Sequence, residues 1–338
     1  MRRAPEVPAD VATQVARLFY DRQLSKVEIG GRLGMSRFRV ARLLDHALAN
    51  DLVRIEFRDT PAGDRGLARA LEERFGLDLC IVAADGPSDA RDRVARLAGS
   101  FVGDLVGHGD VVGIAWGSTL AAFVREVPTR QDDSIEVVQL AGSSVRLGRE
   151  RDPGELARVL ADRLGAAHRP LHAPVFVDDP AGRRALLAEP DLAATLAAFD
   201  RLTMAVVGIG AFGGGRTRGG SGAFGPDGED GAARAESSLV RSGVLDAATV
   251  KRLRERGAVG DLVVHAFDAA GRFVAPDLAE RSIAIGVDQL RRVPRVVAIA
   301  AGAAKAEAIR GALATGSVRV LATDAAAAAA ILALENGR

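Results

Sequence analysis

The chain is nearly without cysteine, lysine, tryptophan and tyrosine, and each shortage excludes something. A single cysteine, Cys80, rules out an internal disulfide framework. It lies in the apolar run LDLCIV and reads as a buried structural thiol. No apolar run is long enough to span a bilayer and no signal segment is legible, so a cytoplasmic protein with no membrane partner is expected. There is no HExxH motif and no Cys/His cluster. His168 and His172 are separated by Pro170, which disfavours a shared helix, so no metal site is expected. GxSxG is absent. GIGAFG at 208–213 runs into a glycine-rich segment rather than a helix, so a dinucleotide fold is not expected, and no cofactor is implied. Only three of the 45 basic residues are lysines: Lys26, Lys251 and Lys305. In a chain that otherwise uses arginine, each marks a candidate place where a guanidinium would not serve.

What is present is ordinary globular material. With 338 residues, 48% hydrophobic and 26% charged, the chain can build a sizeable core and more than one domain. Residues 1–58 hold eleven Lys/Arg against seven Asp/Glu, an excess of +4 in a chain whose net charge is +1. A basic N-terminal segment on an otherwise slightly acidic chain points to a polyanion partner.

From Val11 to Asn50 the apolar spacing is helical. Val11, Val15, Leu18 and Phe19 fall on one face of a first helix. Ser25 with Glu28 forms a capping box for a second, whose apolar stripe is Ile29 and Leu33. Gly30 is small where two helices are expected to cross, and Gly34 stands at the left-handed turn. Ser36 caps a third helix that buries Val40, Leu43 and Leu44. This is the helix-turn-helix layout, with Arg37, Arg39 and Arg42 off the apolar stripe of the recognition helix. Arginines there reach guanine edges or grip phosphates. Ser25, Lys26, Ser36, Arg37, Phe38, Arg39 and Arg42 are the candidate DNA contacts. A solvated basic face on a plain three-helix module is the competing reading.

LVRIEF (52–57) looks like a short strand, and 59–66 reads as a polar linker between a 1–58 DNA-binding domain and a 67–338 domain. In the latter, LDLCIVAA, DVVGIAWG, IEVVQLAG, MAVVGIG, DLVVHAF, RVVAIAAG and VRVLATD alternate with helical stretches. That pattern predicts a doubly wound, mostly parallel α/β sheet with ligands beyond the strands' carboxyl ends. Residues 213–231 read as a flexible glycine-rich insertion, and ATDAAAAAAILALE as a strong helix.

Three strand-to-helix junctions carry chemistry. Gly117-Ser118-Thr119 offers hydroxyls that cap the next helix or bind an anion at its positive end, with Trp116 as a wall. Gly302 is followed by Lys305 in the first turn of a helix, a compact phosphate site. Thr323 or Asp324 caps the last helix, and Asp324 could accept from sugar hydroxyls. Together they converge on a pocket for a phosphorylated polyol.

The chain resembles the SorC family of sugar-sensing transcriptional regulators, related to the deoxyribonucleoside and central glycolytic regulators. The resemblance rests on LSKVEIGGRLGMSRFRVARLLDHALANDLVRIEF, GIAWGSTL, VVQLAGS, LHAPVFVDD, VGIGAF, SLVRSGVL, RGAVGDLVVHAFDAAGR, RSIAIGVDQLRRVPRVVAIAAGAAKAEAIRGAL and VLATDAAAA. It implies an all-α helix-turn-helix domain followed by an α/β effector domain of the NagB/ribose-5-phosphate-isomerase type. It further implies a dimer of dimers, double-stranded operator DNA as partner, and a phosphorylated sugar or polyol as effector. Carried over as effector contacts are Ser118, Thr119, Gly302, Lys305, Asp324 and Asp261, the glycines Gly117, Gly142, Gly208 and Gly210, and Ser143. Arg169 resembles the phosphate-binding arginine of the glycolytic branch. Relatives often have two glycines where this chain has Gly142-Ser143, and a glycine pair where it has Ala301-Gly302. Both differences narrow the backbone's freedom near an anion. The expected function is a sugar-phosphate-gated regulator of a carbohydrate or polyol operon. The alternative is an active sugar-phosphate isomerase with an added DNA-binding arm, for which Asp261 and Asp324 lack a convincing base partner.

Overall fold

The computed structural model describes residues 9–54, 63–213 and 236–334. They belong to two compact units, Met1–Asp59 and Thr60–Arg338.

The first unit is three helices: α1 (Ala9–Tyr20), α2 (Lys26–Leu33) and α3 (Arg37–Ala49). The Ser25 hydroxyl accepts from the Glu28 N–H at 3.3 Å, and the Glu28 carboxylate accepts from the Ser25 N–H at 2.8 Å. That reciprocal cap starts α2. Gly34 ends it at φ +64°, a conformation that costs any residue with a Cβ. Ser36 then accepts from the Arg39 N–H at 3.2 Å and opens α3. The core is Ala12, Val15, Ala16, Ile29, Val40, Leu43, Leu44 and Ala47. The faces differ from the expected ones at two places. Val11 is exposed and Ala12 and Ala16 are buried instead, because alanine lets a helix approach its neighbour closely. Leu33, the last residue of α2, is also exposed. Gly30 is crowded by the turn and not by a helix crossing: a Cβ there would lie 2.5 Å from the Met35 carbonyl oxygen.

LVRIEF lies mostly outside the described residues, and its first three residues, Leu52–Arg54, are not strand. The expected linker over 59–66 ends early. Gly63 already bridges to Ala83, and Asp64 caps a helix, Arg65–Phe75, by accepting from the Leu67 N–H at 3.0 Å.

The second unit is built on β1 (Leu79–Ala83), β2 (Val111–Ile114), β3 (Glu136–Gln139), β4 (Ala167–Arg169), β5 (Met204–Ala211), β6 (Ala258–Leu262), β7 (His265–Asp268), β8 (Arg295–Ile299) and β9 (Val320–Asp324). The order β1-β9-β8-β5-β2-β3-β4 is parallel throughout, and helices carry the crossovers. Six of the seven apolar runs contain one of these parallel strands. The seventh, DLVVHAF, does not form one strand. It holds the end of β6, a two-residue turn at Val263-Val264, and most of β7, an antiparallel hairpin.

One carboxylate ties the amino ends of the three central strands. Asp110, just before β2, accepts from the Gly107 N–H (2.8 Å), from the Thr203 hydroxyl before β5 (2.7 Å), and from Arg295 at the start of β8 (2.7 and 2.8 Å). Burial pushes its pKa up, but Gly107, Thr203 and Arg295 together outweigh that and hold it below the usual carboxylate value. The stabilisation is therefore present above the unfolded value, near pH 4, and is lost as pH falls through the lower folded one. Asp110→Ala should cost about 2–4 kcal/mol in urea unfolding at pH 7. The difference from wild type should shrink below pH 4.

Candidate functional site

Strand β5 positions the site. Its first five residues pair with β8, and three of them also pair with β2; the strand then runs past both neighbours. Its last three residues pair antiparallel with β6, with Gly210 opposite Asp261. The hairpin thus leans over the carboxyl ends of β8, β5 and β2. Beneath it is a cleft lined by Trp116–Leu120, Gly208–Gly210, Glu236, Ser238, Arg241, Asp261, Val263 and Lys305.

Three backbone features make the cleft. Gly210 has no room for a side chain: a Cβ would lie 2.2 Å from Asp261 Oδ1. Val263, at the turn, has φ +58°, a strained conformation for a β-branched residue, and is held there fully packed. Gly117 (φ +134°) lets the chain leave β2 and turn into the helix Ser118–Glu126. Neither Ser118 nor Thr119 caps this helix. Gly117 is the cap position and has no side chain, so Ser118 and Thr119 are the first helical residues. The N–H groups of Ser118, Thr119 and Leu120 have no acceptor among the described residues and open at the cleft.

The charged groups are buried and tightly placed. Asp261 is 3% exposed, and its Oδ1 has no hydrogen-bond partner among the described residues. Burial pushes its pKa up to about 6, against the Ser237 hydroxyl and Lys305, which both pull it down. Lys305 donates to the Ile209 carbonyl at 2.7 Å, which leaves two of its three N–H donors for the cleft. Its pKa is lowered to about 8, first by burial and then by Arg241 and Arg91, although Asp261 opposes this. Arg241 is likewise lowered by burial and by Arg151 and Arg91, opposed by Glu236. Two cations, Lys305 and Arg241, thus line one cleft, and Arg91 disfavours the charge on both.

Of the residues expected from sequence, Trp116, Gly117, Ser118, Thr119, Gly208, Gly210, Asp261 and Lys305 line this cleft. Gly302, at φ +100°, stands one turn before Lys305. Asp324 is not an open acceptor. It is 1% exposed, and it accepts from the Gly302 N–H at 2.6 Å and the Ala327 N–H at 3.1 Å, so it acts by holding the Gly302 loop. Arg169 is spent elsewhere. It pairs with Glu136, which also takes Arg201 at 2.9 Å, on the outer strands. Gly142 and Ser143 lie beyond β3, outside the cleft. Gly142 donates to the Ile283 carbonyl at 2.8 Å, and the Ser143 hydroxyl donates to Asp152 at 2.9 Å. Arg241, Glu236 and Ser238 were not expected. They follow a glycine-rich stretch without periodicity, and only the SLVRSGVL match marked the place. The four candidate DNA-contact side chains of α3, Arg37, Phe38, Arg39 and Arg42, are exposed, as are Ser25, Lys26 and Ser36. The three arginines have no ion-pair partner among the described residues.

The fold and cleft together define a sugar-binding regulator: a parallel α/β unit with a cationic, hydroxyl-bearing pocket at its strand ends, preceded by a helix-turn-helix. The family described as "Putative sugar-binding domain" matches residues 59–222 and 231–333, and the chain belongs to it, within the SorC group of regulators. The erythritol catabolism regulatory protein EryD of Brucella abortus is 26% identical, over 97% of this chain and 98% of that protein. The deoxyribonucleoside regulator of Bacillus subtilis is 26% identical over 95% and 97%. The full-length sorbitol operon regulator of Klebsiella pneumoniae shares the fold at TM-score 0.69 and 23% identity, covering 96% and 99%.

Because Asp261 takes up a proton on folding between its unfolded value near 4 and about 6, it makes stability fall as pH rises through that window. Asp261→Asn should remove this dependence. Between pH 4 and 7 the unfolding free energy should shift in the variant's favour by roughly 2–3 kcal/mol relative to wild type, read by urea titration.

Proposed function

We propose that the chain is a DNA-binding transcriptional regulator of a carbohydrate or polyol catabolic operon, gated by a phosphorylated sugar or polyol in the strand-end cleft. The observation that carries the effector class is that two part-buried cations, Lys305 and Arg241, line one cleft and repel each other. A phosphate dianion relieves that repulsion and also meets the unused N–H groups of Ser118–Leu120. Asp261, Glu236 and Ser238 supply acceptors for sugar hydroxyls. The relatives' names, for erythritol, deoxyribonucleoside and sorbitol systems, support a small polyhydroxy ligand.

Effector binding would act by shifting the population between two arrangements of subunits, and so the spacing of recognition helices on a two-fold operator. That requires a homo-oligomer, and a dimer of dimers in the cytoplasm is the arrangement proposed. Light scattering of the full chain should give a multiple of 35.2 kDa; a monomer at micromolar concentration would refute it.

Lys305→Ala should weaken the best-binding sugar phosphate by about 1.5–3 kcal/mol in calorimetric titration, with operator affinity in its absence unchanged. A bound phosphate raises the Lys305 pKa above its free value of about 8. Wild-type affinity should therefore fall as pH rises above about 8, and the variant should lack that fall. Equal affinities in the two proteins would remove Lys305 from the phosphate site.

A further inference from the structure

We propose that Phe38, not an arginine, is the central base-reading residue of α3, and that it reads the 5-methyl group of a thymine in the major groove. The inference rests on the DNA-binding reading above and deepens it.

The argument begins with direction. Residues on an α-helix advance by about 100° each. The buried side of α3 is set by Val40, Leu43, Leu44 and Ala47. Phe38 and Arg42, one turn apart, point directly away from that side. Arg37 and Arg39 stand on the two flanks, each roughly 90° from the outward ridge. A helix lying in the major groove presents its outward ridge to base edges and its flanks to the two phosphate backbones. Arg37 and Arg39 are thus placed for phosphates, and Phe38 and Arg42 for bases. Asp45, exposed further along the ridge, repels phosphate and confines the contact to the first turns.

Exposure and charge point the same way. Phe38 is 66% exposed, and among the described residues no other phenylalanine, tyrosine or tryptophan is fully exposed. Leaving such a ring in water forgoes the burial that most phenylalanines obtain. The Arg37 guanidinium lies over one face of the ring, 4.9 Å from its centroid. Arg37, Arg39 and Arg42 of the same helix flank it with positive charge, so the complementary surface is a polyanion with an apolar point in its groove. The thymine methyl is the apolar group that the major groove offers.

The test uses the full chain and the duplex it selects from a random pool. Each thymine of that duplex is replaced in turn by deoxyuridine, which removes only the methyl. Wild type should lose affinity about fourfold per half-site at one symmetry-related position, the value of one buried methyl. Phe38→Ala should bind the thymine and uridine duplexes equally, and Phe38→Leu should keep part of the preference. Arg37→Ala and Arg39→Ala should weaken binding to all duplexes and flatten its salt dependence, leaving the uridine penalty intact. A uridine penalty unchanged in Phe38→Ala, or no sensitive thymine at all, overturns the proposal. So does a Phe38→Ala variant that changes the oligomer's mass, which would make the ring a protein contact. Failure of the wild type to select any sequence would instead overturn the DNA-binding reading itself.

Discussion

The site depends on the overrun of β5. Seven parallel strands make a scaffold with little chemistry of its own, since its strands are apolar on both faces. Because β5 continues beyond its neighbours, a hairpin can pair with its tip and bring Asp261 over the cleft. The missing side chain at Gly210 makes that approach sterically permissible. Everything polar in the cleft is then arranged around a nearly buried carboxylate at its wall, with Lys305 near enough to feel it yet bonded to the Ile209 carbonyl instead.

At its other end the same strand is anchored by a different carboxylate. Asp110 is fully partnered, which pulls its pKa down, while Asp261 keeps one unpartnered oxygen, and burial there outweighs Ser237 and Lys305 and pushes its pKa up. Full satisfaction holds the amino ends of the strands in place; incomplete satisfaction at the carboxyl ends leaves an acceptor for a ligand.

How much was legible in the sequence follows from the range of each interaction. The caps at Ser25 and Ser36 and the turn at Gly34 are local, and their residue types declare them. The strand-end junctions at Gly117 and Gly302 are also local, because an apolar run ending in glycine before a helix has few other meanings. Arg169 was misplaced because its partner, Glu136, lies on a neighbouring strand far along the chain, which spacing cannot reveal. The hairpin was hidden because Val263-Val264 carries no turn residue; packing forces a conformation that propensity opposes. Gly142 and Ser143 follow a strand as Gly117 does, but that strand is β3, one place farther from β5 than β2. The faces of α1 were misjudged by one position because burial there favours alanine over valine.

The double grip of Asp324 has a mechanical consequence. One side chain is at once the clasp of the loop at Gly302 and the first link of the helix Ala325–Ala333. The loop at Gly302 therefore cannot shift alone: any displacement either carries the first turn of the terminal helix with it or breaks one of the two hydrogen bonds.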